Sequence, residues 1–397
     1  MKTKLTTLFL EFFESERASG VILLLAAITS IVVANSPVGK EFQDFWHLKI
    51  GFDLGFLHLR YDLSHWINDG LMAVFFLLIG LEIEREIYVG ELSDLKNASL
   101  PIFAAMGGML VPALIYLALN LGKSTQNGFG IPMATDIAFA LGALTLLGDK
   151  VPTSIKVFLA AFAIIDDLGA MLVIAFFYAD GFSLSYLLLA FAVFAFLLLL
   201  NRRGVNSLPT YLLLGILMWY LLLQSGVHAS IAGVLLAFAI PFRDASTSTP
   251  SYKLQHFLNK PVALLVMPLF ALANTGILIS GIFLRDIVTF NTAGIFAGLL
   301  IGKPLGIVLF ALAAIRFGFA KLPEEMGFKD LLGVGFLGGI GFTMSIFITI
   351  LAFGESAVSQ SSKIAILLGS FTSAVIGLLI LSSNSSSSTV DTEMEVP

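Results

Sequence analysis

Long apolar segments, separated by short polar stretches, run along almost the whole chain. About twelve segments can be distinguished, centred near residues 26, 77, 108, 138, 166, 191, 216, 234, 272, 303, 342 and 373. A helix needs about 20 mainly apolar residues to cross a bilayer. The pattern therefore predicts an all-α polytopic membrane protein, with about twelve transmembrane helices in a single domain over residues 1–381.

The fourth and eleventh predicted spans contain helix-breaking residues. In the fourth, two glycines and Pro132 precede Thr135 and Asp136, and in the eleventh three glycines are clustered within 338–341. Irregular backbone at membrane depth is tolerated only inside protein or beside a water-filled cavity. Two interrupted spans in matching positions predict inverted repeats with crossed, broken helices, in which spans three to five mirror spans ten to twelve. Glycines that only allow close helix packing are the alternative.

Composition agrees with a membrane domain and excludes several other classes. The chain is 57% hydrophobic and only 12% charged, whereas a soluble domain has about 25% charged residues. The sequence has no cysteine, which excludes disulfides, thiolate metal sites and iron–sulfur clusters. No basic cluster is large enough to indicate nucleic-acid binding, and we expect no cofactor.

The distribution of positive charge predicts the orientation of the spans. Of the 22 Lys and Arg residues, fifteen fall on the side that holds both termini and six on the opposite side, with Lys303 inside the membrane. Because cytoplasmic loops carry the excess of Lys and Arg, both termini should be cytoplasmic. The charged start of the chain is expected to be an interfacial helix and not a removed signal peptide. The Ser-rich segment 382–397 is predicted to be a disordered cytoplasmic tail.

Four ionisable residues lie inside predicted spans. Asp166 and Asp167 are adjacent in A-F-A-I-I-D-D-L-G-A, Asp136 follows the break in span four, and Lys303 lies near the middle of span ten. A carboxylate at mid-bilayer costs about 3 kcal/mol on insertion scales, so such residues indicate an ion or proton site. Adjacent helical side chains point about 100° apart, so one aspartate can face a cation while the other faces Lys303. The sequence alone does not say which.

The same residues predict what such a site would bind. Carboxylate and hydroxyl oxygens suit a small, hard cation, although oxygen chemistry alone would also allow potassium or calcium. Burial and like charge both favour the protonated form of a carboxyl group, whereas a bound cation favours the ionised form and expels the proton. If the two events occur on opposite sides of the membrane, the result is exchange of cations for protons.

Three other classes are less compatible with the sequence. An intramembrane aspartyl protease needs its two aspartates on separate spans, typically with a G-x-G-D string, and here they are adjacent. A passive channel has no need of a mid-membrane lysine. A purely structural protein would not bear the cost of four buried charges. We therefore expect a transporter and not an enzyme.

Six strings, in order along the chain, closely resemble the bacterial NhaA-type sodium/proton antiporter family, and the resemblance extends from about residue 10 to 380. They are I-N-D-G-L-M-A-V-F-F (67–76), G-L-E-I-E-R-E (80–86), A-T-D-I-A-F-A-L-G (134–142), A-I-I-D-D-L-G-A (163–170), G-K-P-L-G (302–306) and G-F-T-M-S-I-F-I (341–348).

The resemblance implies a pH-regulated, electrogenic secondary transporter of the bacterial inner membrane, which exchanges Na⁺ or Li⁺ for H⁺ by alternating access. It makes Asp167 the main cation ligand, with Asp166 and Thr135 nearby, and makes Lys303 the partner of Asp166 in proton coupling. Asp136, with Thr135, lies at the helix crossing. There an aspartate would compensate positive helix ends and Lys303 negative ones.

A second charged cluster lies at the cytoplasmic end of span two and consists of Glu82, Glu84, Arg85 and Glu86. The resemblance makes Glu82 and Arg85 part of a pH sensor and entrance funnel, which His256 joins. An acidic residue precedes this histidine in the family pattern, but Gln255 stands here, which leaves the pH set-point open. Ordinary salt bridges at a helix end are the alternative for the cluster.

At the outer side, Asp69 and His228 are candidates for the exit funnel and the response to pH. A simple helix-start carboxylate and an interfacial histidine are equally compatible with the sequence. His65 is expected to be a solvated histidine.

The loop 46–61 alternates apolar and polar residues around two glycines, which predicts an outer β-hairpin. A lone hairpin is marginal in water. Pairing with a second copy would stabilise it, and the resemblance implies a homodimer formed in this way. An unstructured loop is the alternative.

Overall fold

Apolar helices make up most of the chain in a computed structural model that describes residues 19–53, 59–148, 151–179, 181–242, 249–279, 288–323 and 325–392. The helices, numbered in chain order, are α1 Ser19–Ala34, α2 Gly39–Trp46, α3 Leu63–Val89, α4 Leu95–Asn120, α5 Ile137–Thr145, α6 Thr153–Phe177, α7 Leu184–Arg202, α8 Leu208–Ser225, α9 Ile231–Ala239, α10 Pro250–Asn274, α11 Phe290–Arg316, α12 Phe328–Gly338, α13 Phe342–Phe353 and α14 Ala357–Thr392. Short 3₁₀ turns occur at Glu91–Ser93 and Gln126–Met133.

Within the described residues, nine helical segments are long and apolar enough to cross a membrane, or up to eleven if each of two bent pairs forms one span. The bent pairs are α1 with α2, at 118°, and α12 with α13, at 43°. α9 has only nine residues, about 14 Å of helix, which is too short to span. The protein is thus a multi-pass helical membrane protein, while the count of twelve spans stays a prediction.

Large apolar side chains are exposed on many helices, whereas several charged side chains are buried. Phe176 is 78% exposed and Leu213 is 69% exposed, whereas Asp166 and Lys303 have no exposed surface. This is the reverse of a soluble protein, in which lysine and aspartate are almost never fully buried. Such an apolar surface is suited to contact with the hydrocarbon core of a membrane.

The chain divides into two compact units. The first contains residues 91–170 and 280–397 with the short segment that ends at Val21, and the second contains residues 22–90 and 171–279. The first unit holds α4–α5 and most of α6 together with α11–α14. The predicted spans three to five and ten to twelve therefore fall in the same unit.

Packing in the first unit depends on the close approach of α4 and α11. Where these helices cross, a Cβ added to Gly107 would lie 2.1 Å from the carbonyl oxygen of Gly306, and the reverse contact is also 2.1 Å. Small residues at such a crossing let two backbones touch. An apolar cluster that includes Phe162, Ile307 and Leu337 fills the interior around it.

Both predicted interruptions are present in the first unit. Span four is a 3₁₀ segment that ends at Met133, followed by extended backbone at Ala134 and Asp136 and then by α5. Span eleven consists of α12 and α13, separated by non-helical residues between Gly338 and Phe342. Pro132 and the adjacent glycines account for the first break, because proline lacks an amide donor and glycine is a poor helix former.

In the part of the chain that the structure describes, three helices contain a π turn, and two of these turns adjoin prolines. Val262–Val266 follows Pro261, and Gly298–Gly302 ends one residue before Lys303 and two before Pro304. A π turn re-accommodates the hydrogen bond that proline removes, and such turns are frequent at functional sites. The third, Trp66–Leu71, contains Asp69.

A small antiparallel sheet lies within the loop predicted to form a hairpin. Strand β1, Lys49–Ile50, pairs with β2, Tyr61–Asp62, in the register Lys49 with Asp62 and Ile50 with Tyr61. Residues 54–58, where the hairpin would turn, lie outside the described residues. The hairpin and its role in a dimer stay predictions. So does the disorder of 382–397, although α14 continues through Thr392.

Candidate cation-binding site

The buried ion pair between Asp166 and Lys303 is the centre of the candidate site. Asp166 lies on α6 and Lys303 follows the π turn of α11. The Lys303 Nζ atom lies 2.7 Å from Oδ2 and 2.9 Å from Oδ1 of Asp166. Neither residue has exposed surface. Each charge offsets part of the burial cost of the other.

Lys303 also caps the C-terminal end of the first half of span four. Its ammonium group donates a hydrogen bond to the carbonyl oxygen of Met133, the last residue of the 3₁₀ segment. Carbonyl groups at the C-terminal end of a helical segment lack intrahelical donors and carry partial negative charge. Lys303 therefore satisfies both a carboxylate and a helix end.

Asp167 is 1% exposed and lies next to this pair. Its charge acts on Lys303, although the shorter contacts of Lys303 are with Asp166. Because adjacent helical side chains diverge by about 100°, the two aspartates do not occupy the same position around Lys303. The arrangement leaves one carboxylate held by an ammonium group and a second carboxylate beside it.

Thr135 is fully buried between the ion pair and the second broken helix. Its hydroxyl group donates to the carbonyl oxygen of Gly338 at 2.8 Å. The hydroxyl and backbone amide also face the Asp166 carboxylate. A hydroxyl has one proton to donate, so it can serve Gly338 or Asp166, one at a time.

Asp136 lies where the N-termini of α5 and α13 meet. Its Oδ1 atom accepts a hydrogen bond from the amide of Phe139 at 3.1 Å, which makes it the N-cap of α5. Its Oδ2 atom accepts from the amide of Thr343 at 3.0 Å and from the Thr343 hydroxyl group. Helix N-termini attract negative charge. One carboxylate thus faces two positive helix ends.

Further hydrogen bonds tie the two breaks together. The amide of Asp136 donates to the carbonyl oxygen of Ile340 at 2.6 Å, and the Ser345 hydroxyl group donates to the carbonyl oxygen of Ile131 at 2.7 Å. The backbone groups that the breaks release are therefore satisfied across the crossing. This satisfies the requirement that backbone polar groups at membrane depth find partners within the protein.

Sequence reasoning did not single out Thr343, Ser345 or Ser370. Ser370 of α14 accepts hydrogen bonds from the amides of Gly341 and Phe342 at 3.1 and 3.2 Å. The sequence signal available for Thr343 and Ser345 was a hydroxyl side chain just after the glycine cluster of span eleven. Serine and threonine are common in membrane helices, where they bond to their own backbone, so this signal is weak.

In the second unit, the predicted pH-sensor residues are only partly brought together. Glu82 is 6% exposed, and the Arg85 guanidinium attracts its carboxylate electrostatically. The ion pair of Arg85, however, is with Glu86, at 3.0 Å. The Gln255 side chain faces Glu82, although its amide nitrogen forms no full hydrogen bond. The neighbouring His256 is exposed and stacks on Tyr252.

Glu84, which sequence reasoning took only as part of the charged cluster, is 4% exposed and accepts a hydrogen bond from the Ser251 hydroxyl group at 3.2 Å. Together Glu82 and Glu84 face the α10 residues Gln255 and Ser251. The buried acids of α3 thus contact polar residues of α10.

The candidate outer residues of the same unit do lie together. Asp69 is 8% exposed, and its carboxylate oxygens lie 3.4 Å from Nδ1 of His228 and 3.4 Å from Nδ1 of His65. The expectation of a solvated His65 was wrong, because this side chain is partly buried between Asp69 and the Tyr61 ring, whose centroid is 4.2 Å away.

Comparison with known proteins identifies the family of the chain. The family model described as Na⁺/H⁺ antiporter 1 matches residues 10–381. A protein of Dechloromonas aromatica named Na⁺/H⁺ antiporter NhaA is 54% identical over 385 residues, which cover 96% of this chain and 97% of that protein. Proteins of the same name from Flavobacterium psychrophilum and Yersinia enterocolitica are 52% and 47% identical to this chain. Each match covers 95% of this chain, and 96% and 97% of the respective relative. The chain therefore belongs to the Na⁺/H⁺ antiporter 1 family.

Proposed function

We propose that this protein exchanges Na⁺ for H⁺ across the bacterial inner membrane, and that the site around Asp166 and Asp167 performs the exchange. The buried Lys303–Asp166 pair, with Asp167 beside it at the crossing of two broken helices, is the observation that carries the proposal. Family membership and the names of relatives that match along 95% of the chain support Na⁺ and H⁺ as substrates.

Charge balance explains why cations and protons compete. Asp136, Asp166 and Asp167 with Lys303 carry a net charge of −2 when all are ionised, in surroundings that disfavour isolated charge. A sodium ion at Asp167 or protons on the carboxyl groups relieve this excess. Because either occupant disfavours the other, loading with one expels the other. The coupled group titrates as a set, so no single residue is assigned the second proton.

Each residue then has a distinct role. Asp167 is the main ligand of Na⁺ or Li⁺, with Asp166 and the Thr135 hydroxyl group nearby. Lys303 holds Asp166 when the site is empty and takes part in proton coupling. Asp136 compensates the positive ends of α5 and α13, and Lys303 the negative end at Met133.

We also propose the finer architecture that the family implies. Twelve spans with both termini cytoplasmic would place fifteen of the 22 basic residues inside. Spans three to five and ten to twelve would be inverted repeats, and their common membership of one unit supports this. The 46–61 hairpin would pair with that of a second subunit, because among the described residues β1 and β2 pair only with each other and each has a free edge.

Regulation by pH is assigned to the second unit. Glu82, Arg85 and His256 would respond to cytoplasmic pH and guide ions inward, and Asp69 with His228 would line the outer funnel. Exchange of more protons than cations per cycle, and hence electrogenic transport, belongs to the same proposal.

Proton movement in everted vesicles or proteoliposomes, followed with a pH-sensitive dye over a series of pH values, tests the proposal. Na⁺, Li⁺ and K⁺ are each added to a preformed pH gradient. Na⁺ and Li⁺ should collapse the gradient, and Asp167→Asn should abolish the response. Normal exchange by Asp167→Asn would overturn the site, and no response of the parent protein to Na⁺ or Li⁺ at any pH would overturn the function.

A further inference from the structure

The N-terminus of α13 lacks a cap from its own chain segment. α13 begins at Phe342, and Gly341 at the N-cap position has no side chain. The first amides of a helix have no intrahelical acceptor and must find another. In water they could bond to solvent, but Gly341, Phe342 and Thr343 are all buried.

Ser370, on α14, supplies the missing cap. Its Oγ atom accepts hydrogen bonds from the amides of Gly341 at 3.1 Å and Phe342 at 3.2 Å. A hydroxyl oxygen has two acceptor lone pairs, so these two amides use both. Ser370 is itself 5% exposed.

The next amide in the series belongs to the cation site. Thr343 donates its amide and its hydroxyl group to Asp136 Oδ2, while Asp136 Oδ1 is engaged by Phe139. The consecutive amides of one helix start are thus divided between Ser370 and Asp136. A carboxylate has about four lone-pair sites, and with at least three donors already present Asp136 has little capacity for two more.

Two other hydroxyl groups of α14 form different hydrogen bonds. Ser362 and Thr372 donate to carbonyl oxygens of their own helix, Val358 and Leu368, both at 2.7 Å. Such internal bonds are the usual arrangement for serine and threonine in membrane helices. Ser362 also accepts a hydrogen bond from the Asn291 side chain of α11 at 2.8 Å, where the donor is a side-chain amide and not a backbone amide of a helix start. Ser370 differs because its oxygen accepts from two consecutive backbone amides of another helix, at the residues next to the contact of Asp136.

We propose that Ser370 is a positioning residue for cation binding, which acts by capping α13 so that Asp136 keeps its contact with Thr343 and its charge stays available to the site. Without this hydroxyl group, two buried amides lose their acceptor, and the positive end of α13 is less well compensated. A more positive crossing binds a cation less tightly and holds a proton less tightly. The inference rests on the proposed function.

The test compares four proteins reconstituted in liposomes, with the KM for Na⁺ and the maximal rate measured over a series of pH values. They are the parent protein, Ser370→Ala, Ser370→Thr and Thr372→Ala. The last is the matched control, because it removes one hydroxyl group two residues away on the same helix. The rise in melting temperature caused by added Na⁺ gives a second measure of affinity that does not need transport.

Ser370→Ala should raise the KM for Na⁺ by about fivefold, the effect of losing roughly one net hydrogen bond, and move the pH profile toward acid. The maximal rate should stay within about twofold of the parent rate. Ser370→Thr, which keeps the acceptor, and Thr372→Ala should resemble the parent. If Ser370→Ala does not reach the membrane, Ser370→Cys, similar in size but a weak acceptor, takes its place and should show the same shifts.

An unchanged KM and pH profile in the folded Ala or Cys variant would overturn the proposal, as would an equal rise in KM in Thr372→Ala. A parent protein that neither moves protons with Na⁺ nor is stabilised by Na⁺ would instead overturn the proposed function, and the inference with it.

Discussion

Asp136 accepts two hydrogen bonds from Thr343, although 207 positions separate the two residues in the chain. The bond joins the second halves of both broken spans through a single carboxylate oxygen. Because the other oxygen caps α5, the geometry of the crossing and its electrostatic balance depend on the same side chain.

Separating charge from hydrogen bonding at Asp136 should therefore separate transport from stability. Asn caps helices about as well as Asp, so Asp136→Asn should keep the melting temperature near that of the parent. Its apparent Na⁺ affinity should fall by about tenfold, because the charge between two helix ends is gone. Asp136→Ala should in addition lose about 1 kcal/mol of stability. Thermal melting and dye-based transport measure the two effects, and equal melting temperatures for Asn and Ala would contradict the capping role.

Removing Lys303 should destabilise the first unit more than removing the whole ion pair. Lys303→Gln leaves Asp166 and the Met133 carbonyl without the positively charged donor that they share. Breaking a buried pair on one side costs about 3 to 5 kcal/mol, whereas neutral partners of similar size avoid the isolated charge. Lys303→Gln with Asp166→Asn should therefore melt at a higher temperature than Lys303→Gln alone. The idea fails if the single variant is the more stable of the two.

A carboxylate at position 255 should move the pH profile of exchange toward alkaline values. The Gln255 side chain faces the buried Glu82, and a second negative charge there would hold the proton on the pair to higher pH. Gln255→Glu is compared with Lys253→Gln, which changes the net charge by the same amount at an exposed position of α10. The onset of Na⁺-dependent proton movement is measured for both. Identical shifts would mean that net charge matters and the contact does not.

The α4–α11 crossing should tolerate no side chain larger than hydrogen. In Gly306→Ala the new Cβ would lie 2.1 Å from the carbonyl oxygen of Gly107, so the helices must separate. Overpacking of this kind costs about 1 to 3 kcal/mol or more. Gly20→Ala is the control, because its nearest contact would be an ordinary 3.6 Å. The melting temperatures of the purified variants are compared with that of the parent protein. An unchanged melting temperature for Gly306→Ala would contradict the close approach of α4 and α11.

The sequence predicts those features of the site that have a local cause, and it does not predict those that depend on how helices pack. The break before Asp136 follows from Pro132 and nearby glycines, which act on their own backbone, so the sequence predicts it. That Asp166 is nearer than Asp167 to Lys303 depends on the rotation of α6, which periodicity does not determine for adjacent residues. The contacts of Ser370 depend on how α14 packs against α13, and no local pattern encodes that.

The same limit explains two further differences. Gln255 and His256 are neighbours that point about 100° apart, and only packing decides that the glutamine faces Glu82 and the histidine is exposed. His65 looks like a loop histidine in the sequence, but the π turn that follows it carries Asp69 within 3.4 Å. An irregular turn of this kind has no sequence signature that separates it from an ordinary helix start.

The separation of Asp166 and Lys303 along the chain has a consequence for biosynthesis. After Asp166 the ribosome adds 137 residues to reach and include Lys303, among them the whole stretch 171–279 that belongs to the other unit. At about 5 to 20 residues per second this takes roughly 7 to 27 s. Throughout that interval Asp166 is already made but Lys303 does not yet exist, so we expect the nascent aspartate to enter the membrane in protonated or shielded form. A chain that stops before Lys303 would leave Asp166 without its partner permanently, and quality-control proteases should remove it.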